Sequence, residues 1–205
     1  VQSNLIGTLS FLKSAQAAGV RKIVVVSSGG TVYGNAPSQP IRETDPIHPI
    51  CSYGITKLAV EKYLALFEFL HGLSFAAFRV SNAFGENQRP GPQGVIAAFM
   101  QKALKGVPLE IWGDGSVVRD YVYIHDVVDA LVRGADYVGP CRVFNVGSGE
   151  GRSLNEVVDA LRLVTGRPLE CIHKASRPVD VPKSVLDITL VKQELAWSPR
   201  LGFST

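Results

Sequence analysis

Tyr53 and Lys57 stand four residues apart in Tyr53-Gly-Ile-Thr-Lys57, the spacing that puts two side chains on one helix face, a turn apart. A cation held beside a phenol favours the phenolate and lowers its pKa from about 10, which makes tyrosine an acid or base usable near neutrality. Alone, such a pair is the ordinary content of a solvated helix face. Its surroundings give it weight. Upstream, an apolar run ends in Ser27-Ser28-Gly29-Gly30-Thr31-Val32-Tyr33-Gly34, a small-residue loop at the carboxyl edge of a parallel strand, where α/β proteins place ligands. Downstream, a second apolar run ends in Arg79-Val-Ser-Asn82-Ala-Phe-Gly85. The three motifs converge on one sheet edge.

The elements that must position them follow from periodicity. Leu5, Ile6, Leu9 and Leu12 share one face of a helix over 4–18, with Gly19 as its C′ residue, and residues 22–27 read as a fully buried strand. A loop with Pro37, Pro40, Pro46 and Pro49 leads to a helix over 52–71, ended by Gly72, and then to a strand over 74–80. Alternating helices and apolar strands predict an α/β fold with a partial Rossmann-like parallel sheet over residues 1–85. After the loop 86–94 the elements shorten, which predicts a smaller substrate-binding lobe over 86–205. Its expected parts are helices near 95–105, 126–137 and 154–165 and strands 109–112, 119–123 and 143–146. Ser153-Leu-Asn-Glu156 fits a capping box at the start of the last helix. No internal repeat is visible.

Composition removes whole classes of function. Of 205 residues, 46% are hydrophobic, enough for a real core, and 20 glycines and 12 prolines without a period fit neither collagen nor a low-complexity chain. Lys and Arg number 21 against 18 Asp and Glu, a net charge of +3 with basic residues scattered singly, which argues against nucleic acid as the main partner. The apolar run Val95 to Met100 is far shorter than the roughly 20 residues of a membrane span, so no membrane partner is expected. Cys51, Cys141 and Cys171, an odd number without a C-x-x-C, read as reduced thiols of a cytoplasmic protein. His48, His71, His125 and His173 lack metal-ligand spacing, and no metal is assigned. Gly147-Ser-Gly149-Glu-Gly151 lacks the G-x-G-x-x-G spacing and reads as a turn, and His125-Asp126 opens a helix.

With these motifs in order, the chain resembles the extended short-chain dehydrogenases/reductases, and within them the nucleotide-sugar epimerase/dehydratase group typified by UDP-glucose 4-epimerases. The resemblance runs through Asn4-Leu-Ile-Gly-Thr8, the Ser-Ser and Val-Tyr-Gly stretch, Tyr53-x-x-x-Lys57, Arg79-x-x-Asn82, Gly113-Asp-Gly115, Arg119-Asp-Tyr121, Asn145-Val-Gly147 and Arg177-x-x-Asp180. It implies NAD as cofactor, a UDP-sugar as substrate, and 4-epimerisation of a UDP-hexose or UDP-N-acetylhexosamine by transient oxidation at C4. Tyr53 takes the proton of the sugar hydroxyl, and Lys57 binds the nicotinamide ribose and tunes Tyr53; Ser27 and Asn4 fall on the cofactor side. Where the family has a third serine this chain has Gly29, so Ser28 or Thr31 stands in to share the substrate hydroxyl, with Thr31 favoured.

The resemblance also makes Arg119 and Arg177 diphosphate clamps. Asp180 becomes the acceptor from the ribose hydroxyls, Asn82 and Tyr121 substrate contacts, and Trp112 a stacking partner of the base. Ser184, four residues after Asp180, is a small residue at a place that sets pocket size, which admits N-acetylated sugars. Dehydration needs an Asp-Glu acid pair before Val-Tyr-Gly, and Gly30-Thr31 supplies neither. The family's opening strand, glycine-rich turn and helix are not in the sequence. At about 30 residues per βαβ step they amount to roughly 90 residues, so the chain reads as truncated at its N-terminus. The alternatives are a non-catalytic sugar-nucleotide-binding or assembly module, told apart by whether the protein carries nucleotide absorbance, and a reductase or dehydratase of the same family. The resemblance further implies a homodimer through helices 4–18 and 52–71, whose Leu64, Leu66, Phe67 and Leu70 offer apolar surface for a sheet and a partner.

Overall fold

Val24, Val25 and Val26 sit in a run of β-branched residues, which pack well on a pleated surface, and with their neighbours they form the first strand, Lys22–Ser28. The computed structural model describes residues 1–89, 94–177 and 181–203. In chain order the elements are a π-helical turn Gln2–Ile6, α1 Gly7–Ala17, β1 Lys22–Ser28, α2 Ser52–His71, β2 Ser74–Val80, β3 Asn82–Phe84, α3 Val95–Lys105, β4 Leu109–Trp112 and β5 Val118–Tyr123. They continue with α4 Ile124–Asp136, β6 Val143–Val146, β7 Gly151–Ser153, α5 Leu154–Thr165, β8 Cys171–Lys174, β9 Lys183–Ser184 and α6 Thr189–Leu195.

The strands β1, β2 and β6 form one parallel sheet in that order, with Ser27 opposite Arg79 and Arg79 opposite Asn145. Alternation decides its two faces. Ile23, Phe75 and Ala77 face α1 and α2, where they pack with Leu12, Val60, Leu64 and Phe67. Ala76, Phe78, Val80, Phe144 and Val146 face α4 and α6 and pack with Val127, Ala130, Val191 and Trp197. The approach of α4 is close enough that a Cβ on Gly134 would lie 2.2 Å from Phe78 Cζ. A second assembly holds β3 parallel to β5, β7 antiparallel to β5, and β9 parallel to β5; β4 pairs with β8. Its own core joins Phe99, Leu109, Ile111, Tyr121, Val157 and Leu161.

The α/β class and the parallel sheet agree with the sequence reading, but the boundary after residue 85 does not hold. The chain enters the second assembly at β3, returns through α4 and β6 to the first sheet, leaves again, and returns with α6. The reason is burial: α4 and α6 cover the sheet's second face, and a parallel sheet needs both faces covered. The expected first helix begins as a π-helical turn, and the expected helix 126–137 starts two residues earlier, at Ile124. The capping box forms, with Ser153 and Glu156 bonded reciprocally. No helix among the described residues is long and apolar enough to cross a membrane.

Candidate active site

The turn after β1 and the first turn of α2 touch. Cys51 caps α2, its Sγ accepting from Gly54 N at 3.4 Å, and a Cβ on Gly54 would lie 2.5 Å from the Thr31 carbonyl oxygen. Only glycine permits that approach, which sets Tyr53 beside the 28–32 turn. Tyr53 is 39% exposed at the open edge. The Lys57 ammonium lies 5.6 Å from the Tyr53 ring centre and donates to the Val26 carbonyl oxygen at 2.8 Å. Burial, with the neighbouring Cys51 thiol adding to it, pushes the Tyr53 phenol up, and burial lowers the Lys57 ammonium. The phenol is therefore raised, not lowered as the Tyr/Lys spacing predicts: desolvation of the phenol outweighs a cation whose charge is partly spent on a carbonyl. Tyr53 here is a protonated acid at neutral pH.

Gly29 is explained by its neighbours. A Cβ there would meet Leu186 Cδ1 at 2.5 Å and the Arg79 carbonyl oxygen at 2.8 Å, so a serine would displace both. Of the two stand-ins, Ser28 offers its carbonyl to the Val32 N–H at 3.2 Å and is half-buried. The Thr31 hydroxyl is buried with no hydrogen-bond partner, an arrangement that costs free energy until something bonds it. Ser27, expected on the cofactor side, is only 3% exposed and donates its hydroxyl to Glu61. Its period-2 position turns it toward α2 and away from the open edge, so its side chain is structural. Asn4 is exposed on the π-helical turn, and its carbonyl accepts from Thr8 Oγ1 at 2.9 Å.

Under the turn lies a polar layer that the sequence reading passed over. Glu61, one helical turn beyond Lys57, accepts from Arg79 Nη2 at 2.7 Å and Arg79 Nε at 3.1 Å. Arg79 Nη1 donates to Tyr33 Oη at 2.9 Å, and Tyr33 Oη donates to Asn145 Oδ1 at 2.7 Å. Asn145 Nδ2 donates to the Ile41 carbonyl at 2.9 Å, and its backbone N–H donates to Glu43 Oε1 at 2.7 Å. Burial raises Tyr33 to about 12.

The second assembly gathers the other predicted residues. Arg119 Nη1 donates to the carbonyls of Val118 at 2.9 Å and Val181 at 2.6 Å. Ser184, 4% exposed, pairs with Arg119 across β9 and β5. Asn82 Nδ2 donates to the Asp120 carbonyl at 3.1 Å. The Arg177 guanidinium sits 5.5 Å over the ring of Trp112, a cation–π contact on a half-exposed indole. Tyr121 is buried, its hydroxyl has no partner, and burial raises it to about 12; it lines a cavity of about 140 Å³ with Ser148, Arg152 and Phe203. Asp180 lies outside the described residues. Asp120, quoted only as the middle of a motif, is the hub: its carboxylate accepts from Ser81 Oγ, Ser148 N and Oγ, Gly149 N and Leu186 N. It ties the glycine turn after β6 and the segment after β9 to β5, directly behind Arg119.

The chain and its fold are also similar to those of known proteins. A family model, "NAD dependent epimerase/dehydratase family", matches residues 1–147. A UDP-glucose 4-epimerase of Mycolicibacterium smegmatis is 39% identical over 202 residues, 98% of this chain and 64% of that protein. The crystal structure of a UDP-glucose 4-epimerase with UDP-glucose from Thermotoga maritima matches with a TM-score of 0.95 at 39% identity, over 99% of this chain and 66% of that one. That of a Thermus thermophilus UDP-glucose 4-epimerase in complex with NAD matches with a TM-score of 0.89 at 36% identity, over 98% and 66%. The chain thus spans just under two thirds of the length of these relatives. On the match over more than half its length, it belongs to the NAD-dependent epimerase/dehydratase family.

Proposed function

We propose that the chain supplies the acid/base pair and the nucleotide-sugar side of a UDP-sugar 4-epimerase that uses NAD. The observation that carries this reading is Tyr53 and Lys57 at the open end of β1, beside a buried and unpartnered Thr31 hydroxyl. The residues present fit the nicotinamide end of the cofactor: an ammonium has three donors, and Lys57 gives one of them to Val26 O, leaving donors for ribose hydroxyls. Held there by Lys57, NAD would supply a hydride acceptor for C4 and the donor for its return. All else falls to the chain. With the positive nicotinamide of bound NAD opposing the burial that keeps its phenol protonated, Tyr53 loses its proton to water and, as a phenolate, accepts the proton of the 4-hydroxyl as C4 becomes a carbonyl and gives it back as the alcohol re-forms. Thr31 shares that hydroxyl, bonding O4 with the donor it otherwise leaves unused. Arg119 and Arg177 hold the diphosphate, and Trp112 offers its face to the base. Turnover on UDP-glucose, followed as formation of its C4 epimer, tests the reading through Tyr53→Phe, expected to lower turnover by about a hundredfold or more; unchanged turnover refutes it.

Ser184, a small residue paired with Arg119 across β9 and β5, supports N-acetylated sugars as further substrates, because a larger side chain at this place would crowd the clamp. Ser184→Tyr should depress turnover of a UDP-N-acetylhexosamine selectively, and equal losses on both sugars would remove the idea. The homodimer rests on the outer faces of α1 and α2. Leu64 and Phe67 turn into the chain's own core, whereas Phe11, Leu66, Phe69 and Leu70 are exposed. Sedimentation at micromolar concentration should show a dimer that Phe69→Glu dissociates; a monomer would refute it. The three free thiols suit a cytoplasmic location.

A further inference from the structure

Ser27, Arg79 and Asn145 are direct cross-strand partners, so one register level of the three-stranded sheet is polar on its α2 face. Two residues earlier in each strand that face carries Val25, Ala77 and Val143. An apolar layer at the upper level would serve the core as well. Replacing a buried ion pair by packed apolar residues is often neutral or stabilising, so the Glu61–Arg79 pair, with side chains 5% and 4% exposed, calls for a reason other than stability. Its connections supply one. Glu61 belongs to the helix of Tyr53 and Lys57, four residues after Lys57, and Tyr33 belongs to the turn of Ser28 and Thr31, two residues after Thr31. Among the described residues, Arg79 is the one group that bonds both, through three of its nitrogens.

We propose that Arg79, Glu61 and Tyr33 are positioning residues that lock the helix carrying the Tyr/Lys pair against the turn carrying the substrate-facing hydroxyl. This rests on the reading of Tyr53 as the acid/base. Asn145 completes the lock by holding Tyr33 Oη from β6. The guanidinium also stacks 4.9 Å from the Tyr33 ring centre, so the planar fork is used twice, as donor and as a flat surface. A lysine, with one nitrogen and no planar fork, cannot reach both Glu61 oxygens and Tyr33 Oη from separate nitrogens while lying against the ring.

Two conservative variants test the proposal. Tyr33→Phe keeps the ring and removes the hydroxyl that accepts from Arg79, and Glu61→Gln keeps the shape and removes the charge. In each, kcat for epimerisation should fall about tenfold or more, while KM for the UDP-sugar stays within about twofold, because the nucleotide contacts lie on the other assembly. Arg79→Lys should lose as much as Tyr33→Phe. Independently of any ligand, amide exchange in residues 28–36 of Tyr33→Phe should quicken by about tenfold, with α5 unchanged. Unchanged exchange in residues 28–36, or faster exchange spread equally over α5, overturns the proposal, as does a fall in kcat matched by a proportional rise in KM. Absence of epimerase activity in the unmutated protein would instead sink the functional reading, and the exchange measurement would still decide the positioning role.

Discussion

Asp120→Asn is the substitution whose cost the structure predicts most sharply. One carboxylate oxygen, Oδ1, accepts from Ser148 N and Ser148 Oγ at 2.7 Å each and from Ser81 Oγ at 3.3 Å; the other, Oδ2, accepts from Leu186 N at 3.2 Å and Gly149 N at 3.3 Å. Asparagine keeps the volume and one acceptor oxygen, which retains the first set. Its NH₂ then faces two backbone N–H groups. A buried donor left unpaired costs about 1–3 kcal/mol, so the pair costs about 2–6 kcal/mol. Against this, burial raises the Asp120 carboxyl despite all those donors, so removing the charge returns part of its desolvation cost. The expected net is about 2–4 kcal/mol, or a melting temperature lower by about 5–15 °C in a domain of this size. Urea unfolding followed by the fluorescence of Trp197, buried with its indole N–H on the Asp126 carbonyl at 2.9 Å, measures it. Asp120→Ala, which strands the whole set of donors, should cost more. The site is also crowded: a Cβ on Gly147 would lie 2.3 Å from Asp120 Oδ2, so Gly147→Ala should cost less in the Asp120→Ala background than alone. A cost below about 1 kcal/mol for Asp120→Asn, or one equal to that of Asp120→Ala, would refute the hub.

Gly54→Ala puts a Cβ 2.5 Å from the Thr31 carbonyl and 3.0 Å from Pro49 Cβ, and since backbone must move, turnover should drop with Tyr53 displaced even where the fold survives; wild-type turnover would contradict the close approach. Tyr33 and Tyr121, both raised to about 12 by burial, stay protonated in the folded chain while their unfolded counterparts ionise near pH 10. Stability from these phenols is therefore full below about pH 10 and is lost as pH rises toward about 12, by about 3 kcal/mol each. Denaturant midpoints at about pH 9 and about pH 11.5 check the sign, and an equal or higher midpoint at the alkaline end would contradict it.

Much of the candidate site was legible because it is local. The spacing of Tyr53 and Lys57, the apolar run of β1, Gly72 at φ 66 closing α2, and the Ser153/Glu156 capping box are all set by residues near one another in the chain. The missed strands β3, β7, β8 and β9 have two to four residues, too few for a period of two to be counted. The return of β6 to the first sheet depends on a partner more than sixty residues upstream in β2, which no local pattern encodes. Glu61 shares the inward face of α2 with Val60 and Leu64, and a carboxylate on an otherwise apolar helix face was the available signal of a buried charge. Its partner Arg79 was visible in a motif, but the bond between them was not. The direction of the Tyr53 shift was misread because spacing gives the neighbour of a phenol and says nothing of its desolvation.

The central claim, that Tyr53 is the acid/base of a UDP-sugar epimerase, is tested most directly in the protein as its own cell makes it, with NAD and UDP-glucose supplied, by comparing the wild type with Tyr53→Phe. The wild type should interconvert UDP-glucose and its C4 epimer, the variant should lose about a hundredfold or more, and UDP-glucose binding should survive the substitution. No interconversion by the wild type, or full turnover by the variant, would contradict it.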